Sequence, residues 1–260
     1  ICGLLLSEVN EGLVLISDPN IDSATLVDTN QNINNVWGPF DNNLINSYLT
    51  KDSILVAIFR IDHSTTSDNN DSTIFRKLDW NNNIIWKYTM PNEVCEIHHQ
   101  QTILPNGNIL AICSETITEE DNIYMDIDLL IDKVIEIESV NENQINIVWE
   151  WHFYDHLIQD SNPYLDNYGV ISENPQLLDI GLFFASSYSH INCIDYNEEL
   201  DQIIISSRIR NEVYVIDHST TTEEASSHIE GMYNMGGDIL YRWGNPMNYG
   251  RGEQSDQKLF

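Results

Sequence analysis

The chain has 260 residues, 42% hydrophobic and 10% aromatic, which is enough to bury a sizeable core and too apolar for intrinsic disorder. Its 41 Asp and Glu against 11 Lys and Arg give a net charge of -30. That charge repels phosphate backbones and anionic lipid, excluding nucleic acid and acidic membranes as partners, and it suits a salty or extracellular setting where ions screen self-repulsion. No apolar run is long enough to span a bilayer. The opening Ile1-Cys2-Gly3-Leu4-Leu5-Leu6 reads as a buried first strand or the stub of a signal peptide, and without an initial Met the N-terminus reads as processed or clipped.

Helical periodicity is nearly absent; short β-rich runs alternate with Asn, Asp and Gly clusters. A strand, a polar turn and a strand ending in Trp run from Leu26-Val27-Asp28 to Val36-Trp37. A hairpin follows at Tyr48-Leu49, Thr50-Lys51-Asp52 and Ile54-Leu55. The Trp-ended unit returns as Lys77-Leu78-Asp79 with Ile84-Ile85-Trp86. The hairpin returns from His99 to Leu104, turning at Pro105-Asn106-Gly107-Asn108 into Ile109-Leu110-Ala111. Val134-Ile135-Glu136, a longer turn and Val148-Trp149 are the third Trp unit. His190 to Asp195, a turn at Tyr196 to Leu200, and Ile203-Ile204-Ile205 form the next hairpin. Val215-Ile216-Asp217, a long insertion and Leu240-Tyr241-Arg242-Trp243 form the last Trp unit. The segment Ile61–Thr66 recurs residue for residue as Ile216–Thr221, about three units of roughly 50 residues apart, the size of propeller blades. Two alternating hairpins make a four-stranded blade, so the expected fold is an all-β propeller of about four to five blades, one domain over 1–260 that is incomplete at its C-terminus. The Trp at each blade edge is expected to pack in the core.

Cys2, Cys95, Cys113 and Cys193 show no CxxC spacing, which argues against zinc. Cys95 and Cys113 flank one hairpin and are candidates to pair, but the expectation is buried free thiols. Aspartates around Asp126-Ile127-Asp128 lack the EF-hand pattern and read as a solvated face. No phosphate-binding glycine loop, HExxH or GxSxG is present, so no metal or cofactor is expected.

Eight histidines remain. His63 and His218 sit in the repeated turn and read as loop caps; His228 lies in a polar insertion, and His152 is ambiguous. His99 and His190 occupy the same position before their turns, so equivalent strands of two blades should bring both imidazoles to one axial cavity. The turn after His190 places Arg208 directly across its hairpin, and strand alternation puts Asn192 on the same face. An Arg, a His and an Asn facing one cavity suit an oxyanion such as sulfate, phosphate or carboxylate. The bland alternative for Arg208 is a salt bridge to a nearby acid.

The chain resembles the bacterial PAPS-independent arylsulfate sulfotransferases. The resemblance rests on His98-His99-Gln100-Gln101 with Leu104-Pro105-Asn106-Gly107-Asn108, and on Trp149-Glu150-Trp151 with Tyr154-Asp155-His156-Leu157. It rests further on His190-Ile191-Asn192 with Asp195-Tyr196-Asn197, on Ser206-Ser207-Arg208, and on Tyr241-Arg242-Trp243-Gly244-Asn245-Pro246. It implies a six-bladed propeller that moves a sulfuryl group from a phenolic sulfate ester to a phenol through a sulfohistidine, with no cofactor, in the periplasm or outside the cell. By motif, His99, His190 and Arg208 are the catalytic residues held in common, Asn192 and His98 line the pocket, and His156 falls in a family-typical segment without an assigned role. The family's nucleophilic histidine is expected in a blade beyond Phe260. A non-catalytic binding propeller and a sulfate-ester hydrolase using the same cavity are the rival readings.

Overall fold

A computed structural model describes residues 12–17, 22–61, 72–91, 94–124, 128–141, 143–182 and 189–258. Residues 1–6, His63 and the Asp126-Ile127 pair lie outside them. The chain is all-β and of the β-propeller class, built of antiparallel blade sheets, with a single four-residue α-helix, α1 (Thr222–Ala225), among the described residues. It divides into two compact units, Ile1–Pro91 with Asn141–Asn143, and Asn92–Val140 with Gln144–Phe260.

The first unit holds a three-stranded sheet, β1 (Leu13–Ser17), β2 (Ala24–Asp28) and β3 (Ile33–Trp37). Beside it in sequence is a four-stranded blade, β4 (Asn43–Leu49), β5 (Leu55–Ile61), β6 (Ser72–Leu78) and β7 (Ile84–Pro91), paired in chain order. β5 reads Leu-Val-Ala-Ile-Phe and is buried on both faces, as a continuous apolar run demands. The repeat is visible in its turns. Asp28 Oδ1 accepts from the Asn30 and Asn32 amides, and Asp79 Oδ1 accepts in the same way from Asn81 and Asn83. Both carboxylates are held below the usual range by these bonds, the Asn32 and Asn83 side chains contributing most. Trp37 is buried and donates from Nε1 to the Asp79 carbonyl at 2.8 Å, capping a core of Leu26, Phe40, Leu55 and Phe59.

The second unit holds two four-stranded blades. One is β8 (Glu96–Ile103), β9 (Ile109–Ile117), β10 (Leu129–Asn141) and β11 (Gln144–His152). The short parallel pair β12 (Leu157–Ile158) and β13 (Leu178–Asp179) precedes the other, which is β14 (Ile191–Asn197), β15 (Gln202–Ser207), β16 (Glu212–Asp217) and β17 (Tyr241–Trp243). Trp149, Trp151, Phe153 and Tyr214 centre the shared core.

Three expectations need correction. Cys95 and Cys113 form a disulfide, not free thiols, because β8 and β9 bring their Cα atoms to 5.4 Å. The long turn expected after Glu136 is instead strand: β10 and β11 continue out to Asn141 and Gln144. Trp37, Trp86 and Trp149 are buried as core residues, but Trp243 is exposed, since no later sheet of the described residues lies over β17.

Candidate active site

The second unit's two blades meet at the first strands of each, β8 and β14, and both strands bulge there. In β8 the register jumps from Ile97↔Cys113 to Gln101↔Ala111, so His98, His99 and Gln100 stand against Ile112 alone. In β14 it shifts between Ile191 and Cys193, leaving Asn192 as the extra residue. Bulges re-aim side chains, and that of β8 re-aims His98 and His99. His99 (φ +52°) and His190 (φ +42°) both take the left-handed conformation, which costs a non-glycine residue roughly 1–3 kcal/mol and persists only where the surroundings impose it. Fully buried Gln101 is part of what imposes it: its Nε2 donates to the His98 and His99 carbonyls, at 3.5 and 3.2 Å.

The rings converge. His99 and His190 sit edge to face with centroids 4.9 Å apart. His98 Nδ1 lies 2.9 Å from His99 Nδ1, and His98 Nε2 lies 3.0 Å from Asp132 Oδ1. Asp132 comes from β10 and is buried; its Oδ2 accepts from the Ser189 hydroxyl at 2.6 Å and the Ile191 amide at 2.7 Å. One carboxylate thus fixes the β8 bulge and the start of β14 together. Ser207 Oγ donates to the Ser189 carbonyl and pins the same corner. The chain of bonds also sets tautomers. With His98 Nε2–H donating to the carboxylate, His98 Nδ1 accepts from His99 Nδ1–H, and the lone pair of His99 is placed on Nε2. His99 is the exposed member of the pair.

Arg208 lies where its pairing with His190 was expected: its amide donates to the His190 carbonyl at 3.2 Å, and its side chain is exposed. Asn192 Oδ1 accepts from Ser206 Oγ at 2.8 Å. Its placement rested on strict strand alternation, which the bulge interrupts: Ile191 and Ile194 both face the core. Sequence reasoning missed Asp132, Ser189 and Gln101. Acidic residues are too abundant for one Asp to stand out, and only the three-dimensional reach of its carboxylate to Ser189 and the Ile191 amide distinguishes this one.

The other described histidines are wired to carboxylates. His218 bridges Glu136 (3.0 Å) and Asp201 (2.8 Å) against the Trp149 ring, an ion-paired clamp rather than a loop cap. Burial opposes its charge, but the bonds to Glu136 and Asp201 outweigh burial and raise its pKa. His152 contacts Glu115 at 2.9 Å and Glu150 at 3.5 Å; burial again works against the proton, and these acids raise the pKa to about 9.

The arylsulfotransferase (ASST) family matches residues 43–224, more than half of the chain and including every residue of this cluster. The chain belongs to the arylsulfotransferase family. No curated protein matches it. Among solved structures, this arylsulfotransferase-family chain is similar to Kuenenia stuttgartiensis hydrazine synthase, at 13% identity and a TM-score of 0.48, covering 88% of this chain and 58% of that one. The chain therefore spans under two thirds of that relative's length.

Proposed function

We propose that the protein transfers a sulfuryl group from a phenolic sulfate ester to a phenol, at the cluster of His98, His99, His190 and Arg208. The observation that carries this reading is the row of three imidazoles from two blades, with His99 between His98 and His190, backed by a buried carboxylate. An aryl sulfate presents three terminal oxygens that share one negative charge. Arg208 supplies a planar fork of donors, His190 a ring donor, and the His99 Nε2 lone pair is the place to take up a proton. A histidine nitrogen attacks sulfur, the S–O bond to the ring breaks, and the electron pair leaves with the phenolate. An imidazolium protonates that phenolate; the incoming phenol then returns a proton to imidazole as its oxygen attacks sulfur and the N–S bond breaks. Charge develops on the sulfuryl and leaving oxygens, where Arg208 and the histidines stabilise it.

The family resemblance gives the sulfated nitrogen to another histidine, so His190 and Arg208 hold the sulfuryl oxygens and His99 moves the proton. Asp132 and His98 are positioning residues for His99. The Cys95–Cys113 disulfide supports a periplasmic or secreted setting.

The test is release of nitrophenol from 4-nitrophenyl sulfate by the full natural chain, with and without phenol. Phenol-dependent release, lost in His99→Ala and Arg208→Ala while circular dichroism is unchanged, is expected. Equal release without phenol makes the protein a hydrolase. No release, together with aryl sulfate binding that ignores both substitutions, overturns the assignment of this site.

A further inference from the structure

We propose that His156, His228 and Asp238 form a binding site for a divalent first-row transition metal ion, with zinc the best match. The site is separate from the histidine cluster and carries a structural role. His156 ends the single 3-10 turn Phe153–His156 that follows β11, and it is fully buried with its ring stacked on Trp151 at 5.2 Å and 9°. His228 and Asp238 come from the insertion between β16 and β17. His156 Nδ1 lies 2.8 Å and His228 Nδ1 2.7 Å from the same oxygen, Asp238 Oδ1, and the three candidate ligand atoms all fall within 4.8 Å of one another.

The surroundings of His156 are those of a ligand. Its Nε2 sits 2.9 Å from the Ala225 carbonyl, which can only accept, so Nε2 carries hydrogen and the Nδ1 lone pair is directed at the cluster. A carbonyl on the far ring nitrogen is the usual outer partner of a metal-bound histidine; it fixes the tautomer and raises the basicity of the ligating nitrogen. Gly237 makes the arrangement possible: a Cβ there would lie 2.0 Å from the Ala225 oxygen and 2.8 Å from His156 Nε2. Trp151 Nε1 donates to the Gly237 carbonyl at 2.6 Å and locks that backbone.

The donor set selects the ion. Two imidazole nitrogens and one carboxylate oxygen suit zinc and its neighbours, whereas calcium and magnesium require oxygen ligands throughout. The His228 side chain is 54% exposed, which gives an entry path and leaves a fourth position to water. The ion would tie the insertion between β16 and β17 to the end of β11. Cysteine spacing could not reveal such a site, because its ligands are far apart in the chain and none is a cysteine.

The experiment is zinc titration by calorimetry and cobalt titration by visible absorption, on the full chain freed of metal by chelation. One equivalent of each is expected, with tetrahedral or five-coordinate cobalt bands and a melting temperature that rises with zinc concentration. His228→Ala should weaken zinc by about 100-fold or more while its metal-free melting temperature stays near that of the wild type, since His228 is half exposed. If that variant melts early, His228→Gln, which can still hydrogen-bond Asp238, must lose zinc in the same way. Absence of saturable binding, or equal binding by wild type and both variants, overturns the proposal.

Discussion

The blade β4–β7 and the blade β8–β11 have the same strand order, and each joins its first two strands through a five-residue turn, after Leu49 and after Ile103. Each bulges in its first strand at the same height. The bulge of β4 admits Ile45; that of β8 admits His98 and His99. Two strands away, the row Asn43, Arg60, Thr73 corresponds to Glu96, Ser114, Asp132. Buried Thr73 therefore stands where the second unit has the carboxylate that orients His98. The bulge belongs to the scaffold, and the chemistry comes from what fills it together with the acid placed behind it. Two arginine pairs show the same contrast. Arg76 of the first unit meets Asp41, whose side chain is 76% exposed, whereas Arg242 of the second unit meets Glu212, which is fully buried.

The largest effect is expected from breaking the second pair. Arg242 makes two bonds to Glu212 at 2.6 and 2.9 Å, donates to the Pro175 and Leu177 carbonyls, and lies over the Tyr249 ring. Arg242→Ala leaves a buried carboxylate without its cation, a loss of about 3–5 kcal/mol. Denaturant unfolding followed by tryptophan fluorescence measures it. A loss below about 1 kcal/mol would mean that Asn248 Nδ2, 2.8 Å from Glu212, suffices to hold the charge.

The bulge comparison is tested next by Asp132→Asn. The Asn oxygen can still accept from Ser189 and Ile191, which turns its amide NH2 toward His98 Nε2. That reverses the tautomer of His98 and puts hydrogen, not a lone pair, on His99 Nε2. Transfer should fall by about 10²-fold or more with little change in donor affinity, the size of a lost acid–base contribution. Equal losses in both quantities would assign Asp132 to holding β14 alone.

The blades were legible because their signals are local: Asp-Asn turns, Trp-ended strands and Pro105-Asn106-Gly107-Asn108 each dictate geometry within a few residues. The meeting of His99 with His190 was legible for the same reason, since equivalent offsets from two turns imply equivalent places. What stayed hidden was non-local. Asp132 resembles the 40 other acids until its carboxylate reaches Ser189 and the Ile191 amide at the start of β14, and Cys95 pairs with Cys113 only through the register of β8 and β9. Asn192 shows the limit from the other side, because one bulge residue undoes an alternation argument that is sound for a regular strand.

A further prediction concerns pH. The described residues of the first unit contain no histidine, whereas the second unit carries His152 between Glu115 and Glu150. The folded pKa of His152, about 9, lies above its ordinary 6.5, so its contribution is full below about pH 6.5 and is lost as pH rises through about 9. Glu150 has the opposite sign: the His152 bond and the Lys133 contact outweigh burial and hold it at about 2, so its contribution persists until strong acid. The stability difference between wild type and His152→Gln should shrink steadily from pH 6.5 to 9.5. A difference independent of pH would show that the ring packs but carries no charge.

The smallest effect should come from the first unit's own pair. Asp41→Ala removes one partner of Arg76, yet Arg76 Nη2 still donates to Asn42 Oδ1 at 2.5 Å and its guanidinium lies 4.6 Å from the Phe59 ring centre. The Asp41 carboxylate is mostly solvated, so water replaces what the pair supplied, and the cost should stay under about 1 kcal/mol and shrink with added salt. Measured beside Arg242→Ala under the same conditions, the two substitutions separate burial from pairing. Both bonds are short and both involve arginine. If Asp41→Ala proved as damaging as Arg242→Ala, solvent exposure of the acid would not be what sets the strength of these contacts, and the contrast between the two units would have to be sought in the Arg76 and Arg242 ring contacts instead.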